Sequence, residues 1–325
     1  MMAAVDKNTG IRSDDGAGTD QSAARLWNKK TARLVPYVPG EQPRGQTFIK
    51  LNTNENPYPP APEVMKVLSN FNYEQVRLYP DPTGLSLRQA IAAYYGLTID
   101  QVFVGNGSDE VLAMAFQAFF EAADSPAGPE KEIVFPDITY SFYPVYARLY
   151  DIPYRLVRLG DGFVLPLADC LAPSAGLVLA NPNAPTGRAI DIARIAELAA
   201  SDRNRLILID EAYVDFGGES AVALLPDFDN ILIIQTCSKS RALAGMRLGY
   251  ALGAPALIEA LRRVRDSFNS YTLDSLAQAA GAAAFSAGEW FERTRSLIIK
   301  TREKTARDLQ DLGFIVIPSS ANFLF

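Results

Sequence analysis

One lysine stands in T-C-S-K-S-R-A-L-A-G-M-R, Thr236–Arg247, directly after the apolar run I-L-I-I-Q. Most lysines lie in solvated loops, but an amine at the mouth of a buried strand can also form a Schiff base with a carbonyl compound. Three other apolar runs end in polar clusters. V-F-V runs into G-N-G-S-D-E, whose glycines allow a tight turn and whose helix start at Ser108 and Asp109 offers free amides to a phosphate. The same residues also suit a plain helix cap. G-L-V-L-A ends in N-P-N-A-P-T-G-R, where Asn181 and Asn183 present amides at a Pro/Gly turn or bond their own backbone. R-L-I-L-I ends in D-E-A-Y, and a carboxylate at that depth needs a cationic partner. For Asp210 that partner is a protonated ring nitrogen, with Tyr213 donating to a neighbouring oxygen, or else the pair is a helix cap and a core tyrosine. Thr236, Ser238 and Arg247 add hydroxyls and a forked guanidinium suited to phosphate. A nucleophilic lysine, a ring-nitrogen partner and phosphate donors together fit pyridoxal phosphate.

The chain has no histidine. Ser-His-Asp triads, Cys-His dyads, His-ligated zinc and a histidine base are thereby excluded, which leaves acid–base work to Lys, Tyr, Asp, Glu, Cys or a cofactor. No G-x-x-x-x-G-K-[ST] occurs, so a P-loop hydrolase is excluded as well. A net charge of −6 argues against a nucleic-acid surface or a polybasic anchor. Two cysteines, without a signal-peptide core or a membrane-length apolar run, lead us to expect a cytoplasmic protein.

The elements that must position these residues follow from pattern. Residues 1–25 lack hydrophobic period and are expected to be a disordered tail. Residues 26–62, dense in Pro and Asn, read as an extended arm. Helical periods near 84–95, 108–122, 139–150 and 189–201 alternate with the strand candidates V-F-V, K-E-I-V-F, G-L-V-L-A, R-L-I-L-I and N-I-L-I-I-Q. Strands apolar throughout and spaced by helices predict an α/β fold with a mostly parallel sheet covered on both faces. We assign 63–272 to that large domain. Residues 273–325, two helical stretches and then the strand candidates F-I-V-I and N-F-L-F, are expected to form a smaller, incomplete α+β domain.

In this order and spacing, N-P-N-A-P-T-G, D-E-A-Y and S-K-S-R-A-L-A-G-M-R resemble the fold-type-I pyridoxal-phosphate aminotransferases. L-N-T-N-E-N-P-Y, R-L-Y-P-D-P, G-N-G-S-D-E and D-E-A-Y-V-D-F resemble the histidinol-phosphate branch, over about residues 34–325. The resemblance implies that Lys239 is the Schiff-base residue and proton shuttle, and that Asp210 keeps the pyridine nitrogen protonated. It implies Tyr213 on the phenolic oxygen and Tyr140 stacked on the ring. Ser108, Asp109, Ser238 and Arg247 would hold the phosphate, joined by Tyr79 from the partner of a homodimer. Tyr37 and Asn54 would border the substrate, and histidinol phosphate and 2-oxoglutarate would be the substrates, in histidine biosynthesis. An aromatic aminotransferase or an amino-acid-phosphate decarboxylase of the same branch remains the alternative, and a non-catalytic ligand sensor is the rival from another class.

Two positions depart from the family pattern. The Asn expected before P-T-G is Ala184, with Asn183 the candidate substitute. No residue matches the family's substrate-binding arginine, so the chain is expected to be C-terminally truncated and weak in cofactor binding and turnover.

Overall fold

The computed structural model describes residues 21–37, 40, 49–123 and 132–325. It divides into two compact units, Met1–Pro36 and Tyr37–Phe325. Of the expected disordered tail, residues 1–20 lie outside the described residues. Gln21–Leu26 is a 3-10 helix, where the tail and then the extended arm were expected. Also within the segment expected as an extended arm, helix α1 (Lys29–Arg33) forms because the Asn28 side chain accepts the Thr31 N–H at 2.7 Å.

The second unit is built on a sheet of β1 (Val102–Asn106), β2 (Ile133–Pro136), β3 (Tyr154–Val157), β4 (Gly176–Ala180), β5 (Leu206–Asp210), β6 (Ile231–Thr236) and β7 (Leu248–Gly253). The strand order is β1-β7-β6-β5-β4-β2-β3, and β7 runs antiparallel to both of its neighbours while the other pairings are parallel. Every residue of β4, β5 and β6 is buried, as a sheet covered on both faces requires. Alternate residues divide between two cores. Ile207 and Ile209 face one, with Leu87 and Ile91 of α3 (Leu85–Tyr95); Leu208 and Ile234 face the other, with Leu112 and Phe116 of α4 (Ser108–Phe119) and Tyr143 of α5 (Tyr143–Leu149). Removing one such buried Leu or Ile to Ala costs about 2–5 kcal/mol.

Register decides where the chemistry collects. Ala180 pairs with Asp210, Asp210 with Ile234, Thr236 with Gly249 and Gly249 with Gly105. The carboxyl ends of β1, β4, β5 and β6 therefore open on one edge of the sheet, the edge where α/β folds bind ligands.

The strands β3 and β7 were not anticipated: β3 is short and half-exposed, and β7 carries glycines. One of these, Gly249, is required by close approach, because a Cβ there would lie 2.3 Å from the Gly107 carbonyl carbon. The remaining helices of this unit are α2 (Pro62–Ser69), α6 (Leu167–Cys170), α7 (Ile192–Ser201), α8 (Pro255–Phe268), α9 (Ser275–Ser286) and α10 (Gly288–Asp311). Helix α9 packs on α2 and α3 and buries Ala277, Ala280 and Ala284 in the core shared with Ile207. Packing thus continues across residue 273, where the sequence placed a domain boundary.

The expected strands F-I-V-I and N-F-L-F are not strands. Ile315 is 91% exposed, and among the described residues the two stretches are joined by the bond from Ile317 N–H to the Phe325 carbonyl at 3.0 Å. Among the described residues no third strand lies beside them, and two short stretches alone do not hold a ladder.

Candidate active site

Asp210 ends β5 at 5% exposure. Its Oδ2 accepts the Tyr143 hydroxyl at 2.9 Å and its Oδ1 the Ala212 N–H at 3.1 Å. Burial nevertheless lifts its carboxyl from 3.8 to about 6, since no bulk water solvates the anion. A carboxylate so placed is completed by a cation brought from outside. Three residues on, the Tyr213 hydroxyl accepts from Asn54 Nδ2 at 3.2 Å, and its ring meets Phe323 edge-on at 4.9 Å.

Lys239 lies beyond the end of β6, with its amine 5.4 Å from the Tyr213 ring centroid. The amine donates to the Thr53 carbonyl at 2.6 Å. Burial lowers it from 10.5 to about 8, opposed by the nearby carboxylates of Glu55 and Asp109 and assisted by Arg247 and Lys50. About a tenth of this lysine is therefore neutral at pH 7, far more than of an ordinary lysine at 10.5, and that fraction is nucleophilic and basic. Its turn is held from the opposite side by Asn56, whose Nδ2 donates to the carbonyls of Lys239 and Ser240 at 2.9 and 3.1 Å. Ala242 and Arg247, with φ of 56° and 51°, are left-handed, a conformation that costs a non-glycine residue about 1–2 kcal/mol and persists only where the surroundings enforce it.

Gly107 precedes α4 with φ 85° and makes no side-chain cap. A Cβ there would stand 2.5 Å from Arg247 Nη2, so the glycine makes room for the guanidinium beside the helix start. The first amides of α4 lack intrahelical acceptors, and with Arg247 they make a cradle for an anion. The Asp109 carboxylate is taken up by side chains around that cradle. Its Oδ2 pairs with Arg247 Nη2 at 3.3 Å and its Oδ1 accepts the Tyr140 hydroxyl at 2.8 Å. Asp109 thus orients the arginine and the tyrosine and offers an anion only its amide. Ser238, 8% exposed, donates its N–H to Thr236 Oγ1 at 3.1 Å.

Of the residues singled out in the sequence, Ser108, Asp109, Tyr140, Asp210, Tyr213, Ser238, Lys239, Arg247 and Asn54 come together at this edge. Tyr37 tilts against Phe142 at 4.3 Å between centroids, and Phe142 lies 5.5 Å from Tyr140. Tyr79 is outside the cluster, 82% exposed and stacked on Tyr271 at 4.7 Å. Asn183 does not turn toward Tyr213 as a substitute for Ala184. Its Oδ1 accepts from Thr139 at 2.8 Å and its Nδ2 donates to the Ile138 carbonyl and Thr186 at 2.9 and 3.0 Å, so it fastens the segment before Tyr140. Sequence reasoning did not single out Thr53, Glu55, Asn56 and Tyr143. Only the polar density of L-N-T-N-E-N hinted at the first three.

The donor set fits pyridoxal phosphate: a buried carboxylate with no cationic partner among the described residues, a lysine lowered to about 8, and an anion cradle that only glycine at 107 leaves open. The family profile "Aminotransferase class I and II" matches residues 46–325. Histidinol-phosphate aminotransferase 1 of Methylococcus capsulatus is 53% identical over 299 residues, covering 92% of this chain and 82% of that protein. The Chromohalobacter salexigens histidinol-phosphate aminotransferase is 52% identical over 302 residues, covering 93% and 84%. Among solved structures, histidinol-phosphate aminotransferase from Sinorhizobium meliloti in complex with pyridoxal-5'-phosphate superposes with a TM-score of 0.76 at 25% identity, over 84% of this chain and 73% of that one. Aspartate aminotransferase from Thermus thermophilus shares the fold, with a TM-score of 0.72 at 23% identity over 84% and 75%. Strand-end chemistry, sheet order and relatives agree, and the chain belongs to the class I and II aminotransferases, enzymes that work with pyridoxal phosphate.

Proposed function

We propose that this aminotransferase passes the amino group of histidinol phosphate to 2-oxoglutarate, giving imidazole acetol phosphate and glutamate, as a step of histidine biosynthesis. Relatives at 53% and 52% identity that carry the name histidinol-phosphate aminotransferase support the substrate. The observation that carries the chemistry is the meeting of Asp210 and Lys239 at one sheet edge. When bound, pyridoxal phosphate supplies an electron sink for the carbanion left by proton removal. Asp210 would hold the ring nitrogen protonated. Tyr213, steadied by Asn54, would donate to the phenolic oxygen, and Tyr140, oriented by Asp109, would lie against the ring. The α4 amides at Ser108 and Asp109, with Ser238 and Arg247, would hold the phosphate. Lys239, lowered to about 8, would take the proton from the substrate carbon and, as its conjugate acid, would return it on the far side of the amino nitrogen, two bonds away. Tyr37 and Asn54 would border the substrate.

We place the enzyme in the cytoplasm as a homodimer in which Tyr79 reaches the phosphate of the other subunit. The exposure of Tyr79 supports the second point. The free, buried Cys170 and Cys237 suit the first, and among the described residues no helix is long and apolar enough to cross a membrane.

Steady-state assays with histidinol phosphate and with phenylalanine, each with 2-oxoglutarate, test the substrate; a higher kcat/KM for phenylalanine would overturn it. Pyridoxal phosphate should give the wild-type protein a visible absorbance band distinct from that of the free cofactor, which Lys239→Ala lacks. The same band in the variant would remove Lys239 from its role.

A further inference from the structure

Arg241, two residues after Lys239, is 6% exposed, and its hydrogen bond runs from Nη1 to the Ala284 carbonyl at 2.8 Å. No carboxylate of the described residues forms an ion pair with it. Its guanidinium instead lies 3.8 Å from the ring centroid of Phe285, 4.5 Å from Phe291 and 4.7 Å from Tyr94. These rings come from α9, α10 and α3, and Tyr94 packs edge-on against the other two at 5.5 and 6.4 Å. A guanidinium can stack on rings while remaining charged, and the attraction grows when water is excluded. The cage therefore fixes the residue that immediately precedes left-handed Ala242.

Helix α10 also holds the neighbouring turn. Arg295 Nη1 donates to the Asp215 carbonyl at 3.3 Å and Arg302 Nη1 to the Phe216 carbonyl at 2.7 Å. The Ser240 hydroxyl donates to the Asp215 carboxylate, which joins the two turns directly.

We propose that Arg241 is a positioning residue for Lys239: its aromatic cage locks the lysine turn to the α9–α10 junction, and helix α10, through Arg295 and Arg302, sets that turn against the one bearing Asp210 and Tyr213. Arg241 does not act on the lysine by its own charge. The charged groups that face Lys239 are Glu55 and Lys50 on the arm, Asp109 on α4 and Arg247 after the turn, with Tyr213 alongside. Loosening the cage acts through place, by letting the amine leave its buried position and regain water.

The test is competitive acylation of the cofactor-free full chain with acetic anhydride, read at Lys239 by mass spectrometry across pH, together with titration by pyridoxal phosphate. Wild-type Lys239 should titrate near 8. In Arg241→Met and Phe285→Leu the midpoint should rise toward 10.5, and cofactor affinity should weaken about tenfold, the scale of one desolvated cation–ring contact. Arg241→Lys, which keeps the charge without the planar stack, should shift in the same direction. Should Arg241→Met fail to fold, the other two variants decide by the same reading. Folded variants with wild-type midpoint and affinity would overturn the proposal. It rests on Lys239 being the reactive amine, and the two claims fail differently: an ordinary midpoint in the wild type sinks that role, whereas a low midpoint that survives loss of the cage sinks this one.

Discussion

Asp210→Asn separates what a buried carboxylate does to folding from what it does for chemistry. Burial raises this carboxyl from 3.8 to about 6, and the Tyr143 hydroxyl and Ala212 amide only partly offset it. Between those values the native state binds more protons than the unfolded state. Stability from this group is therefore full below pH 3.8 and is lost as pH rises through about 6. About two units at about 1.36 kcal/mol each amount to about 3 kcal/mol of destabilisation at neutral pH. An asparagine can keep both contacts, accepting from Ala212 and turning its amide toward the Tyr143 hydroxyl, with no charge to bury. Without cofactor, urea unfolding should show the variant up to about 3 kcal/mol more stable than wild type at neutral pH, with the difference vanishing in acid. With pyridoxal phosphate the order reverses. A variant that cannot pair with a ring-nitrogen proton loses about 3–5 kcal/mol of buried pairing, hence about 10²–10⁴-fold in kcat/KM. A cofactor-free variant no more stable than wild type at neutral pH would refute the electrostatic argument. A kcat/KM within a few fold of wild type would refute the catalytic one.

Tyr143→Phe removes the hydroxyl that stabilises the Asp210 anion, so the midpoint of that carboxyl should move above about 6, read as a shift in the pH dependence of cofactor-free stability. Gly107→Ala places a methyl against Arg247 at a left-handed position. It should lower stability by about 1–2 kcal/mol in thermal unfolding and weaken pyridoxal-phosphate binding, while an affinity equal to wild type would mean that Arg247 does not form the cradle. Asn56→Ala frees the carbonyls of Lys239 and Ser240 and should cost about 1–2 kcal/mol, with a lower kcat at saturating cofactor as the check.

The fold was legible where one kind of pressure acts on a whole segment. β4, β5 and β6 are apolar at nearly every position because both faces are covered, and the polar clusters that follow them mark the edge where function can sit. β7 was not legible, because Gly249 within it answers to Gly107, a neighbour more than a hundred residues away in sequence. F-I-V-I and N-F-L-F carry the right residues for strands, yet pairing depends on what else is present to complete a sheet. The arm contacts escaped for a related reason. Lys239 meets Thr53 across a separation of 186 residues and Asn56 across 183, and no local pattern reports such a meeting.

At Ala184 this chain lacks an amide, and the one that reaches Tyr213 comes from a different element. The family resemblance predicts an Asn before P-T-G, and this chain has the methyl group of Ala184 there. Asn183 cannot answer, because both ends of its amide are engaged by Thr139, Ile138 and Thr186. The amide that does meet Tyr213 comes from Asn54 on the arm, held in a left-handed turn with φ 53° while its carbonyl accepts from Asn322 at 3.0 Å. Asn tolerates that conformation better than most residues because its short polar side chain can hydrogen-bond locally. The arm therefore bonds both the tyrosine and, through Thr53, the lysine. In this chain the order of the polar site depends on the arm as well as on the strand ends, which predicts that disturbing residues 53–56 impairs cofactor binding even with every sheet residue intact.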